Sequence, residues 1–492
     1  MILSGLLVGV FKFPADLVLY RIVPGTALGA IAGNLAYTWL AIRLMKTSGR
    51  EDVTAMPFGI DTPTLFAMVF GVLGPVMIAT GDPVRAWHVG MAVTIAIGIA
   101  KVLLAFGGEL TRRIVPRAAL LGSIGGIAVL LIAFLPSLKL FADPLVGLVA
   151  LVVLLLGLFG HVRMPFGLPA AFAAVAAGTI VYWTRTWLGG ASQHVVDLTP
   201  RLSLAIPWPT LAWVGALDDA LPYLSIALPF ALVTIVGGID NTESAAAAGD
   251  SYPTRDILMT EAFATLLAGL AGGVIQNTPY IGHPAYKAMG ARAGYTLLTG
   301  LAIGIGAAIG ALAMLVAILP EAAVAPILVF IGLEITAQAF LASPPRHGPA
   351  VAIAFVPVAA AVVLLQTTGL LTGVGKSPAD LVGEERTAWQ TLTLLGNGFI
   401  LSAVLWGSAL VAIIDRRFAA AGLVFAIASG GVLFGLIHSP APGGALFWPW
   451  SAPGTLPATL AGTYGLLAAI CWLAAVRSNH ASSAVRSHKE GP

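Results

Sequence analysis

Long apolar stretches alternate with short polar ones along this chain, and the length of the apolar stretches sets the first expectation. A helix that crosses a bilayer needs about 20 apolar residues. On that ruler spans are predicted at 22–44, 61–80, 86–107, 115–138, 142–160, 168–188, 222–246, 256–275, 282–292 (short), 294–318, 321–341, 348–367, 391–414, 418–437 and 457–476. Met1 to Phe13 is apolar but too short to cross. No small-residue cleavage site follows it and Pro14 does, so it reads as the end of a first helix that starts upstream, and the count becomes sixteen. The longest polar connections are 189–221 and 368–390. Within them IPWPTLAWVGALDDALPYL, 206–224, is expected to be an interfacial amphipathic helix joining two halves.

Composition agrees. The 492 residues are 58% hydrophobic and 10% charged, against about 25% charged in an average chain, which excludes a soluble globular domain and leaves a polytopic membrane protein. The single Cys471 rules out an intramolecular disulfide framework. A net charge of +3 spread along the chain does not suggest a nucleic-acid partner. Lys and Arg favour the loops after even-numbered spans, sixteen against eight, which puts both termini in the cytoplasm and the chain in the plasma (inner) membrane. Trp208, Trp213, Trp448 and Trp450 then fall on the outer face.

Two segments break the apolar pattern in the same way. Thr54-Ala55-Met56-Pro57-Phe58-Gly59-Ile60-Asp61-Thr62-Pro63 and Gln276-Asn277-Thr278-Pro279-Tyr280-Ile281-Gly282-His283-Pro284 each hold Pro then an aromatic, a Gly, a polar residue and a second Pro. The first Pro of each removes a backbone donor and favours extended chain before it, while the second suits the first turn of a helix. Each segment is expected to be half extended and half helical. Such backbone survives at membrane depth only where protein buries it or it lines a cavity. One runs outward and the other inward, in the third and tenth spans, which match if the architecture is seven plus seven with inverted topology; paired interruptions of this kind point to a transport site.

Asp240 and Glu243 interrupt the eighth span three residues apart, on one helical face with Ser244 beside them. A carboxylate at membrane depth costs roughly 3 kcal/mol, so either these acids have a use or they reach the cytoplasmic interface. A desolvated carboxylate there can take a proton or accept hydrogen bonds from substrate N–H groups. His283 either contacts a heterocycle or satisfies backbone groups, and Asp61 either meets the substrate or caps the helix beginning at Thr62. Gln276 and Asn277 either hold the extended strand or touch substrate. Glu334 and Gln338 are expected to make interhelical hydrogen bonds, and Lys101 to snorkel from a helix end. No zinc-protease, Walker or nucleophile-elbow motif is present, so no enzyme is expected.

IDNTESAAAAGD, EAFATLLAGLAGG and NTPYIGHPAYKAMGARAGYTLLTG, together with MPFGIDTP, resemble the nucleobase/ascorbate transporters, the xanthine/uracil permease group with its adenine/guanine/hypoxanthine branch. The resemblance runs from about Pro14 to Ile414. It implies an all-α, seven-plus-seven inverted-repeat transporter with core and gate domains: a first repeat over 1–205, a second over 206–414, two additional helices over 415–476 and a cytoplasmic tail over 477–492. It also implies coupling to H+ or Na+, no other cofactor or metal, a small-molecule substrate and a homodimer. Asp240 matches the eighth-helix carboxylate that binds the base. The tenth-helix acid or amide that usually follows the strand falls on Gly282, with His283 next to it. The expected substrate site is Asp240, Glu243, Asn277, Tyr280, Gly282, His283, Phe58 and Asp61, with Asp240 or Glu243 coupling protons. The expected cargo is a nucleobase-like heterocycle such as a purine, xanthine or uracil; the alternative is an inorganic or carboxylate anion on the same fold.

Overall fold

The computed structural model describes residues 2–61, 64–65, 68–108, 110, 114–189, 204–309, 318–441 and 444–489. Six helices among them are long and apolar enough to cross a membrane, or seven if one bent pair is a single span. The chain is therefore an integral membrane protein. It divides into two compact units, residues 1–110 with 127–338, and residues 111–126 with 339–492.

In the first unit the main helices are α1 (Ala15–Ser48), α2 (Pro83–Ala105), α3 (Arg117–Ala142, entering this unit at Ile127), α4 (Pro144–Leu158), α5 (Ala170–Trp187), α6 (Leu224–Ala247), α7 (Thr254–Leu270), α8 (His283–Ala288), α9 (Tyr295–Ala308) and α10 (Glu321–Leu341). Both interrupted segments carry a short strand, β1 (Phe58–Ile60) and β2 (Asn277–Pro279), and the two pair antiparallel. Phe58 faces Pro279, and Tyr280 N donates to Pro57 O at 2.8 Å. Each Pro thus lies opposite the other segment's aromatic, as a local two-fold would place them. Packing repeats the exchange: α1, before β1, packs on α9, after β2, while α7, before β2, packs on α2, after β1.

The strands can cross at the centre because α1 presents a smooth face to them. A Cβ at Gly25 would meet Gly273 N at 2.5 Å, one at Gly29 would meet Ala264 O at 2.5 Å, and one at Gly33 would meet the Phe58 ring at 1.9 Å. Three glycines four apart therefore form one stripe that backbone and an aromatic ring approach directly. Thr62 and Pro63, expected to open the first half-helix, lie outside the described residues, as do 310–317 of the predicted span 294–318.

The second unit holds α11 (Phe355–Gly373), α12 (Gly383–Gly396), α13 (Phe399–Ile414), α14 (Phe418–Leu433) and α15 (Leu456–Lys489). Here the sequence expectation of one span over 391–414 is corrected. α12 and α13 are separate helices bent by 69°, and the cause is local. Asn397 is extended and Gly398 is left-handed at φ +72°, and any Cβ on Gly398 would sit 2.3 Å from Leu436 O. Asn397 holds the bend, accepting from His438 N at 3.0 Å and donating through Nδ2 to Ser439 O at 2.7 Å. The segment 206–224 is likewise not one amphipathic helix. Pro207, Pro209 and Pro222 leave only short turns at Ala212–Ala216, Leu217–Ala220 and Leu221–Tyr223. Beyond Val476, where a polar tail was expected, α15 continues as helix to Lys489.

Candidate functional site

Helix α6 sorts its polar residues by face. Thr234, Gly238 and Asn241, spaced by four and three, turn toward β2. Thr234 Oγ donates to Gln276 Oε1 at 3.1 Å and Asn241 Nδ2 to Pro279 O at 3.0 Å. Asp240 shares the next face with Gly237 and Ser244. It is fully buried, and Glu243 is nearly so, so neither acid is solvated at the helix end. A Cβ built at Gly237, one turn from Asp240, meets no atom of the described residues within 4 Å. Ser244 Oγ donates to Gln338 Oε1 at 2.8 Å and Gln338 Nε2 returns to Ser244 O at 3.0 Å, the interhelical bond expected of Gln338. Gly282 borders α10 as well: at φ +148° it excludes a side chain, and a Cβ there would approach Tyr286 at 3.1 Å and Ile331 at 3.5 Å.

At one end of the strand pair stands Asp61. Its carboxylate accepts from Thr64 N at 3.0 Å, from the Thr64 hydroxyl, and from Gln276 Nε2 at 3.4 Å. The capping role therefore holds, and it ties Gln276 of the opposite segment to the same oxygen.

At the other end the matching position is His283, and the carboxylate comes from elsewhere. Asp250, fully buried in the turn after α6, lies 3.2 Å from His283 Nε2, 2.7 Å from Lys287 Nζ and 3.1 Å from Arg50 Nη2. It also accepts from Thr54 N at 3.0 Å. Arg50 clamps Asp52 with two bonds of 2.8 Å and donates to Gly249 O. Asp250 escaped the sequence reading because nothing local marks it: it lies in a polar turn among other polar residues.

Lys101 also departs from expectation. It does not snorkel but is fully buried, with Nζ 2.6 Å from Glu261 Oε1 and 3.1 Å from Asn277 O. Glu261 was missed, yet it interrupts the apolar run 256–275 as Asp240 interrupts 222–246, and the same desolvation cost marks it. Asn277 is fully buried too, and among the described residues neither its Nδ2 nor its Oδ1 has a hydrogen-bond partner.

The two aromatics differ. Phe58 is packed edge-on against Tyr37 at 5.0 Å and over Gly33. Tyr280 is 38% exposed, lies over Gly59 and donates its hydroxyl to Ile60 O at 3.1 Å. β2 and α8 lie against α6, which carries Asp240 and Glu243, so Tyr280, Gly282 and His283 share that region. The Asn277 amide lies instead against α1, where a Cβ at Gly29 would come within 2.5 Å of its Nδ2, and Asp61 and Phe58 hold the strands. A cavity of about 370 Å³ lies apart from all of them, lined by Tyr20, Arg21, Trp87, His88, Trp208 and Thr210 among others.

No family model matches this chain, and no curated protein matches it. Solved structures do. The transmembrane domain of a cyanobacterium bicarbonate transporter, BicA, matches with a TM-score of 0.42 at 16% identity, over 70% of this chain and 95% of that one. SLC26A9 matches with a TM-score of 0.42 at 12% identity, over 85% of this chain and 65% of that one. Likeness at this level says nothing of what the chain carries.

Proposed function

We propose that the chain is a secondary active transporter whose substrate lies beside Asp240, where α6, the crossing of β1 and β2, and α10 meet, and that its cargo is a nucleobase-like heterocycle moved with a proton. The observation that carries this is the antiparallel pairing of two interrupted segments next to a fully buried carboxylate. Irregular backbone inside an apolar bundle supplies fixed donors and acceptors, and paired interruptions mark substrate sites in transporters. Asp240 accepts N–H groups of the heterocycle or a proton, and Tyr280 supplies an aromatic wall. A core domain carrying this site, a gate domain and a homodimer complete the reading that the family resemblance implies.

An anion is the less suitable cargo. Anion sites exploit free helix N-termini, and here Asp61 caps one half-helix while Asp250 sits against His283 at the start of α8, a helix of only six residues.

Thermal unfolding of the purified protein with purines, pyrimidines, ureides and small anions tests the reading. A ligand at 100 times its Kd stabilises by about 2.7 kcal/mol. The expected result is a rise in melting temperature with a heterocycle that Asp240→Asn abolishes. A rise with anions alone, unaffected by Asp240→Asn, would transfer the proposal to anion transport.

A further inference from the structure

Beside β2, residues of α2, α7 and the strand bring oxygen atoms together in an apolar interior. Glu261 Oε1 and Asn277 O both meet Lys101 Nζ, at 2.6 and 3.1 Å, and Thr265 Oγ stands 3.2 Å from the same carbonyl. All four residues are fully buried. Unwound backbone carbonyls are ligands by which broken-helix transporters hold Na+, and here a carboxylate stands beside one.

A buried ion pair is weak support for stability, because desolving both charges offsets their attraction. The strand could be anchored more simply by its neutral neighbours, and Thr265 already brackets Asn277, its Oγ contacting both N and O of that residue at 3.2 Å. What Lys101 adds is a hydrogen bond from Nζ to the carbonyl of Asn277 at 3.1 Å.

We infer that Glu261 and Asn277 O, the latter braced by Thr265, form a monovalent-cation seat that the chain fills with its own Lys101 ammonium, so that the site is set without Na+ and the free coupling ion is a proton. Gly238 of α6 leaves room for the pair: a Cβ there would lie 2.9 Å from Glu261 Oε2. The inference rests on the transporter reading for the meaning of the seat. Its test contains no substrate, so a wrong substrate class leaves the outcome unchanged.

The experiment is thermal unfolding of the purified full chain in sodium chloride against N-methyl-D-glucamine chloride at equal ionic strength. Wild type is expected to melt alike in both. Lys101→Ala is expected to melt lower than wild type and to recover with Na+ in a saturable way, and Lys101→Ala with Glu261→Gln is expected to lose that recovery. A saturable Na+ response of the wild type overturns the inference, as does a Lys101→Ala protein equally unstable in both salts. Lys101→Ser, which leaves a hydroxyl at the mouth of the seat, replaces Lys101→Ala if the latter cannot be purified. If neither variant is recovered, the wild-type melt decides alone: a saturable stabilisation by Na+ overturns the inference and its absence upholds it.

Discussion

The two ends of the strand pair solve one problem in two ways. Where β1 passes into its half-helix, Asp61 supplies the carboxylate in place, capping Thr64 N and receiving Gln276. Where β2 passes into α8, the corresponding residue is His283, and Asp250 reaches in to meet it together with Lys287, Arg50 and Thr54 N. The first end is a short local cap at a half-buried position. The second is a buried network joining residues 196 apart in sequence. A two-fold fold need not be two-fold in charge: one end is held by neighbours in the chain, the other depends on the tertiary structure being complete.

Removing each carboxylate tests this most directly and with the largest effect. Asp250→Ala leaves Lys287, Arg50 and His283 facing one another without their buried partner, a loss expected near 3–5 kcal/mol. Asp61→Ala loses a cap and is expected to cost about 1 kcal/mol. Thermal or denaturant unfolding of the two variants compares them, and equal losses would mean that the ends are not distinct.

A middle-sized effect separates the two aromatics. Gly33→Ala drives a methyl into the packed Phe58 ring, an overpacking worth about 1–3 kcal/mol. Gly59→Ala meets Tyr280, whose ring is partly exposed and free to swing, so its stability loss is expected to be the smaller. If Tyr280 walls the substrate site, Gly59→Ala weakens ligand binding more than Gly33→Ala, which ligand titrations would read.

The smallest effect concerns the rim of the Asp250 end. The Arg50 hydrogen bonds hold the Asp52 carboxyl down to about 2, below the ordinary value near 3.9. A depressed carboxylate stabilises the fold above its ordinary value and loses that contribution as pH falls toward 2. The melting-temperature difference between wild type and Asp52→Asn is therefore expected to be constant above about pH 4.5 and to shrink below it. A difference independent of pH would remove Asp52 from the network.

Much of this was legible in residue order. Pro57, Pro279 and their following aromatics announced two interrupted segments, whereas their pairing, each Pro opposite the other's ring, came only with the structure. Asp240 and Glu243 stood out by desolvation cost and are buried. The same rule applied to Glu261 would have found it. Lys101 was misread because a lysine near a helix end ordinarily reaches water, and only a partner 160 residues away keeps it inside. The bend at Asn397–Gly398 carried a local signal that an uninterrupted hydropathy count overrode.

What the sequence by itself determined, then, is the membrane class, the two breaks and the acids that need a reason to be there, because apolar length, proline's missing donor and the cost of a buried charge are properties of residues and their nearest neighbours. What only the tertiary structure decided is which charge answers which: Asp250 with His283, Lys101 with Glu261, Asp61 with Gln276. Coulomb attraction and hydrogen bonding act over a few ångströms, and those distances exist only once the helices have packed.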